Sequence, residues 1–322
     1  MKTFETARWA TNLISAGGLR PGEHVLVLVD EPLAEQGSEL SLAVRDAGGD
    51  PELVLWAGER PFSAPPPAAA AAAQRADLCI FIAQEPRSDE AGARIALSEV
   101  VLGHGGREVY SGLVDAELLA GDLSRPSPNL ADAARGLLAT LEGARGVRLR
   151  GRAGTDLRLG LEGRQWQTDA TPIEAGEFNN YPNGEVHISP LEDRADGVLV
   201  VDLTVPYTVE GLVDEPVTLT FSSGRVETIE GGRAAELLSA LVEEAGPSGR
   251  VIAELGIGLN PVFSPRGHVL LDEKAAGTAH VAIGNNLGQY GGTNESTIHV
   301  DCVFAEPELE ADGAPIGLPS AS

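Results

Sequence analysis

The stretch HVLVLVDEP, residues 24–32, decides the fold class. Five apolar side chains in succession would bury both faces of a strand, and the proline then ends it. Residues 34–47 carry a helical pattern that stops at Gly48-Gly49. PELVLWAG (51–58) supplies a second strand, PPPAAAAAAQ (65–74) a turn into an alanine-rich helix, and ADLCIFIAQ (76–84) a third strand apolar on both faces. Strands of this kind separated by helices predict a parallel sheet covered on both sides, a Rossmann-like α/β domain. A helical passage, DAARGLLATLEGA (132–144), closes the unit, so the expected domains are 1–146 and 147–322. After VLVLVD comes EPLAEQG, neither G-x-G-x-x-G nor a phosphate-binding loop, so nothing here supports nucleotide binding.

From residue 147 the texture changes. VRLRGRAGTDLRLGLEGR (147–164) reads as hairpins with glycine turns. DGVLVVDLTVPYTVEG (196–211), PVTLTFSSGRVETIEGG (216–232) and GHVLLDEKAAGTAHVAIG (267–284) continue it, around one clear helix, GRAAELLSALVEEAG (232–246). The expectation is a predominantly β, α+β domain. The tail from Pro307, rich in Pro, Gly, Asp and Ser, is expected to fray.

The 322 residues suffice for two hydrophobic cores, and 43% hydrophobic content is ordinary for a globular chain. No apolar run approaches the roughly 20 residues of a membrane helix. The opening MKTFETARWATNLI reads as an amphipathic helix with an acidic residue, Glu5, where an export signal needs a basic start and an apolar core. A cytoplasmic, membrane-free protein is expected. Cys79 and Cys302 each lie in an apolar run and read as buried free thiols. A net charge of −25 argues against nucleic acid and anionic lipid as partners. Lys2 and Lys274 are the only lysines, which singles out Lys274.

Polar chemistry gathers in four segments of the second half. NNYPNGEVHISP sets Glu185 and His187 two apart; VIAELGIGLNP places Glu254 after a short apolar run. LLDEKAAGTAHVAIGNN brings Asp272, Glu273 and His280, and GTNESTIHVDCVFAEPE brings His299 and Asp301. Residues two apart on a strand share a face, so His299 and Asp301 would project together. Each of these groups alone also reads as structural, a histidine bonded to a carbonyl or an acid holding a turn, and His187 and His268 read more readily that way. Together, several carboxylates on apolar strands repel one another unless paired or metal-bound. Divalent Zn, Mn, Co or Fe would suit three to five carboxylates and two imidazoles.

The second half resembles the M29 metallopeptidases, the aminopeptidase T and aminopeptidase S family. The resemblance rests on PNGEV at Glu185, AELGIG at Glu254, DEKAAGTAHVAIG at Glu273 and His280, and N-x-S-x-x-H-x-D at Asn294, Ser296, His299 and Asp301. It implies a homodimer with two metal ions (Zn, Co or Mn) held by Glu185, Glu254, Glu273, His280, His299 and Asp301. Glu254 would bridge the ions or act as base, a metal-activated water would attack, and N-terminal residues of peptide substrates would be released. Three features depart from the peptidases: a shorter chain, a wider spacing from Glu273 to His280, and Leu287 where they carry a catalytic tyrosine. Tyr290, in NNLGQYGG, is the candidate replacement. A relative of the same fold, 2,5-dihydroxypyridine dioxygenase, implies the alternative: one Fe(II) on His299, Asp301 and either His280 or His187, opening an aromatic ring. A non-catalytic binding descendant is the third reading.

Overall fold

A computed structural model describes residues 7–87 and 90–320; the expected acidic residue of the first helix, Glu5, lies outside them. The chain begins with α1 (Arg8–Ala16), β1 (His24–Asp30), α2 (Ala34–Asp46), β2 (Asp50–Trp56), α3 (Pro67–Ala73) and β3 (Leu78–Ala83). It continues through α4 (Ala91–Gly103), β4 (Arg107–Gly112), α5 (Ala116–Ala120) and α6 (Ala131–Leu141). Short strands follow: β5 (Gly146–Gly151), β6 (Asp156–Gly160), β7 (Gln167–Thr168), β8 (Phe178–Asn180) and β9 (Glu185–Ile188). Next come β10 (Ala195–Val201), β11 (Val217–Ser222), β12 (Arg225–Glu230), α7 (Arg233–Ala245), β13 (Ile252–Gly258) and α8 (Val269–Asp272). The last are β14 (Thr278–Gly284), β15 (His299–Ala305), β16 (Pro307–Ala311) and β17 (Ala314–Ile316).

Contacts divide the chain into two units. The first comprises the described residues of Met1–Ser127 with Pro172–Asn183, the second Pro128–Thr171 with Gly184–Ser322. By packing, α6 therefore goes with the second unit, whereas its sequence position suggested the close of the first; the expected boundary at residue 146 stays a proposal about folding units.

In the first unit the strands run β2-β1-β3-β4-β8, all parallel. The strands β1 and β3 are buried almost throughout, as their unbroken apolar sequences require. Asp30 ends β1 by accepting the backbone N–H groups of Gln84 and Glu85, which joins the ends of β1 and β3.

Two antiparallel sheets build the second unit, in the orders β12-β11-β10-β6-β5-β16-β17 and β15-β14-β13-β9-β7. One core receives alternate residues from both: Leu149, Leu157, Leu199 and Leu219 from the larger sheet, Ile188, Leu255, Val281 and Cys302 from the smaller. Leu137 of α6 and Leu238 of α7 complete it. Each such side chain contributes about 1.5–3 kcal/mol on burial. The α/β unit followed by a β-rich unit is the expected fold class.

The expectation of a frayed tail is corrected. Residues from Pro307 form β16, which pairs with β5, because Leu309 and Ala311 alternate into the core. The Asp312 carboxylate then accepts the backbone N–H groups of Arg145 and Gly146 and holds the turn. GHVLLDEK is also not extended: residues 269–272 make one helical turn, with Asp272 accepting from Thr204 Oγ1, Arg266 N and Gly267 N. Cys79 and Cys302 are buried free thiols. Among the described residues, no helix is long and apolar enough to cross a membrane.

Candidate metal centre

The smaller sheet of the second unit has two unlike faces. One sends Val186, Ile188, Leu255, Ile257, Val281, Ile283, Val300 and Cys302 into the core. Period two then puts Glu185, His187, Glu254, Gly256, His280, Ala282, His299 and Asp301 on the other. Register brings them together across four strands: Gly256 lies opposite both His187 and His280, and Ala282 opposite both Glu254 and Asp301. The small residues leave room for the large ones. A Cβ on Gly256 would fall 2.0 Å from Cε1 of His280, so glycine is what lets the imidazole lie across β13.

Glu254 is the hub. His187 Nδ1 lies 3.1 Å and His280 Nε2 3.6 Å from its Oε1, while His299 Nε2 lies 3.2 Å from its Oε2. Asp301 Oδ1 is 3.1 Å from His299 Nε2 and 3.9 Å from His280 Nε2, and Glu185 Oε2 is 3.6 Å from His280 Nε2. Among the described residues, Glu185, Glu254 and His280 form one group with ligand atoms mutually within 4.8 Å, and Glu254, His299 and Asp301 another. Several features fit a divalent ion. The His299 Nδ1–H donates to the Asn285 carbonyl at 2.7 Å, which orients the ring so that Nε2 faces the carboxylates. Glu185 Oε2 is buried without a hydrogen-bond partner. The donors are imidazole nitrogen and carboxylate oxygen, which suit Fe, Mn, Co or Zn.

The field at this face favours positive charge. Burial opposes ionisation of Glu254, yet His187, by charge and hydrogen bond, with bonds from His280 and His299, holds its carboxyl well below the usual range. Burial likewise opposes the His280 cation, but the hydrogen bond to Glu254 and the charges of Glu185 and Asp301 carry it up to about 9. His299 is raised well above its ordinary value against its own burial. A metal must displace these protons. Divalent-ion affinity is therefore expected to fall about tenfold per pH unit, for each proton displaced, as pH drops below about 9. Chelator competition between pH 9 and 6 measures this, and a flat profile would contradict it. In the metal-free protein the same shift stabilises the fold fully below pH 6.5, by about 3 kcal/mol. That contribution is lost as pH rises through about 9.

Tyr290 reaches the centre. Its ring stacks on His299 with centroids 4.6 Å apart and planes at 16°, and meets His187 edge-on at 6.4 Å. Its loop is pinned by Asn286, which bonds Ser189 Oγ, Glu192 and the Asn294 N–H, and by Arg164, which bonds the Gly291 carbonyl. The Asn294 amide bonds the carbonyls of Ser248 and Gly284, so this motif residue anchors the turn. Glu273, expected among the ligands, turns to Lys274 Nζ at 3.2 Å, and burial pushes its carboxyl up to about 8. Lys274 is buried and also contacts Glu185 and, at 3.3 Å, Asp169. His268 stands at the start of α8. Sequence reasoning gave too little weight to His187 and missed Gly256 and Asp169. The spacing E-x-H in PNGEVH, a reversed echo of the later H-x-D, was the available signal for His187.

The sequence profile of the thermophilic metalloprotease (M29) family matches residues 131–316, more than half of the chain. The chain belongs to this family. Over 182 residues this M29 chain is 30% identical to aminopeptidase T of Thermus aquaticus, a match covering 50% of this chain and 43% of the relative. Over 146 residues it is 31% identical to 2,5-dihydroxypyridine 5,6-dioxygenase of Pseudomonas putida, covering 43% and 41%. These sequence matches thus cover less than half the length of either curated relative. The solved structure of 2,5-dihydroxypyridine dioxygenase from Pseudomonas putida KT2440 matches 100% of this chain and 97% of its own, with TM-score 0.77 and 21% identity. AmpT from Thermus thermophilus matches 99% of both chains with TM-score 0.68 and 18% identity. These are likenesses of fold. They nevertheless correct the expectation of an aminopeptidase T or S type peptidase, since over the whole length the dioxygenase fold fits better. The ordered motifs misled because the M29 profile covers only residues 131–316, and the dioxygenase is as similar in sequence, 31% over 146 residues, as the aminopeptidase, 30% over 182. A divalent-metal site and a metal-dependent catalytic role are what relatives and geometry jointly support.

Proposed function

We propose that this chain is a single-metal oxygenase that opens a dihydroxylated aromatic ring, with Fe(II) held by His280, His299 and Asp301. The observation that carries the reading is the approach of two imidazole Nε2 atoms to one carboxylate oxygen, Asp301 Oδ1, at 3.9 and 3.1 Å. The end-to-end likeness to a dioxygenase fold supports it. Iron in a two-histidine, one-carboxylate set supplies open positions for substrate and dioxygen. Glu254, within 3.6 Å of three imidazoles, is placed beside the metal ligands to take a proton from a ring hydroxyl. The pinned Tyr290 ring keeps the His299 imidazole in place and offers an apolar face to a flat substrate.

Protein loaded with Fe(II) without air, then offered dihydroxylated pyridines and benzenes in an oxygen electrode, is expected to consume oxygen as the aromatic absorbance disappears. Turnover of aminoacyl anilides under Zn, Co or Mn, with no oxygen uptake under Fe(II), would contradict the proposal. In the same assay Glu254→Gln is expected to keep its iron and lose roughly 100-fold or more in kcat, the scale of a missing proton acceptor. A variant with unchanged kcat would remove Glu254 from the chemistry.

A further inference from the structure

Lys274 is the second of only two lysines in a chain whose other basic side chains are arginine, and it is buried. Its ammonium contacts Glu185 Oε1, lies 3.2 Å from Glu273 Oε1 and lies 3.3 Å from Asp169 Oδ2. Asp169 also accepts the backbone N–H groups of Gly184 and Glu185, so it fixes the start of β9 as well as one side of the lysine. The Lys274 carbonyl accepts the Asn260 N–H, which ties the residue to the end of β13.

We propose that Lys274 is the built-in second cation of the centre: its ammonium engages Glu185 and Glu273, the carboxylates that would otherwise draw a second divalent ion, and limits the site to one metal. This rests on the single-metal reading above. An ammonium has three donors on a compact point charge, which matches three carboxylates converging from different elements. A guanidinium, planar and broader, would not fit the same point, which accounts for a lysine where the chain otherwise prefers arginine. Glu185 spans the two halves of the site. One oxygen is held by Lys274, and the other faces His280 Nε2 at 3.6 Å. A divalent ion bound to Glu185 and Glu273 would stand beside the ammonium with like charge, inside a buried site where screening is weak.

The test counts metal. Native protein and Lys274→Met, which keeps the length of the apolar stem, are saturated with Mn(II), desalted and measured for manganese per chain and for spin coupling between ions. One ion in the native protein and two coupled ions in Lys274→Met are expected. One ion in both would overturn the role of Lys274 and leave the single-metal reading standing, whereas two ions in the native protein would overturn both. If Lys274→Met folds only with Mn(II) supplied, two ions per folded chain support the proposal and one overturns it. If it does not fold even then, Lys274→Met combined with Glu185→Gln and Glu273→Gln is expected to fold with one ion. Failure of that neutralised variant to fold would show that Lys274 does not act by balancing these charges.

Discussion

Gly256→Ala is expected to cost at least about tenfold in divalent-metal affinity, with the secondary structure retained. The magnitude follows from what misorienting one metal-facing imidazole does, about 10- to 100-fold. A Cβ at this position falls 2.0 Å from His280 Cε1 and 2.3 Å from its Nε2, so the ring must leave the place from which it faces Glu254 and Asp301. His280 is 1% exposed and cannot turn into solvent without disturbing β14. Overpacking adds a destabilisation of about 1–3 kcal/mol. Calorimetric titration with Mn(II) reads the affinity and chemical unfolding the stability. Native-like affinity in Gly256→Ala would show that the His280 ring is not part of the metal centre.

His299→Ala is expected to have a larger effect still, a loss of roughly 100-fold or more in metal retention, because it removes a donor rather than tilting one. His299 is tied on every side. It donates to the Asn285 carbonyl, approaches Glu254 and Asp301, and carries the stacked Tyr290. Its deletion takes one of three imidazoles from the buried Glu254 carboxylate and the nearer of two from the half-buried Asp301, partners that offset their desolvation. Competition with a fluorescent chelator gives the affinity. A parallel measurement on Asp301→Ala is expected to match it in direction, and native-like retention in both would place the metal elsewhere.

Much of the fold was legible because local pattern and tertiary role agree. Residues 25–29 and 78–82 are apolar without interruption, and they form the inner strands of a parallel sheet. GRAAELLSALVEEA keeps Ala234, Leu238 and Val242 on one helical face, and that face is buried. The tail was misread because its prolines and glycines are spread along its length, while Leu309 and Ala311, which dock it against β5, are too few to register as a strand. The segments of the site were legible one by one, since each puts a carboxylate or imidazole at the edge of an apolar run. Their meeting was not, because it depends on the order β15-β14-β13-β9, whose β13-β9 step pairs Gly258 with Glu185, far apart in the chain. Gly256 carries no chemistry of its own and gains its importance only from lying opposite two histidines. Lys274 stood out by rarity alone, and its three carboxylate partners come from three separate stretches.

The central claim is a single divalent ion on the polar face of the smaller sheet, held by His280, His299 and Asp301. Anomalous diffraction at the iron edge, from crystals grown with Fe(II) in the absence of air, tests it most directly. One peak per chain within bonding reach of His280 Nε2, His299 Nε2 and the Asp301 carboxylate is the predicted result. Two peaks bridged by Glu254, or a single peak between Glu185 and Glu273, would contradict it.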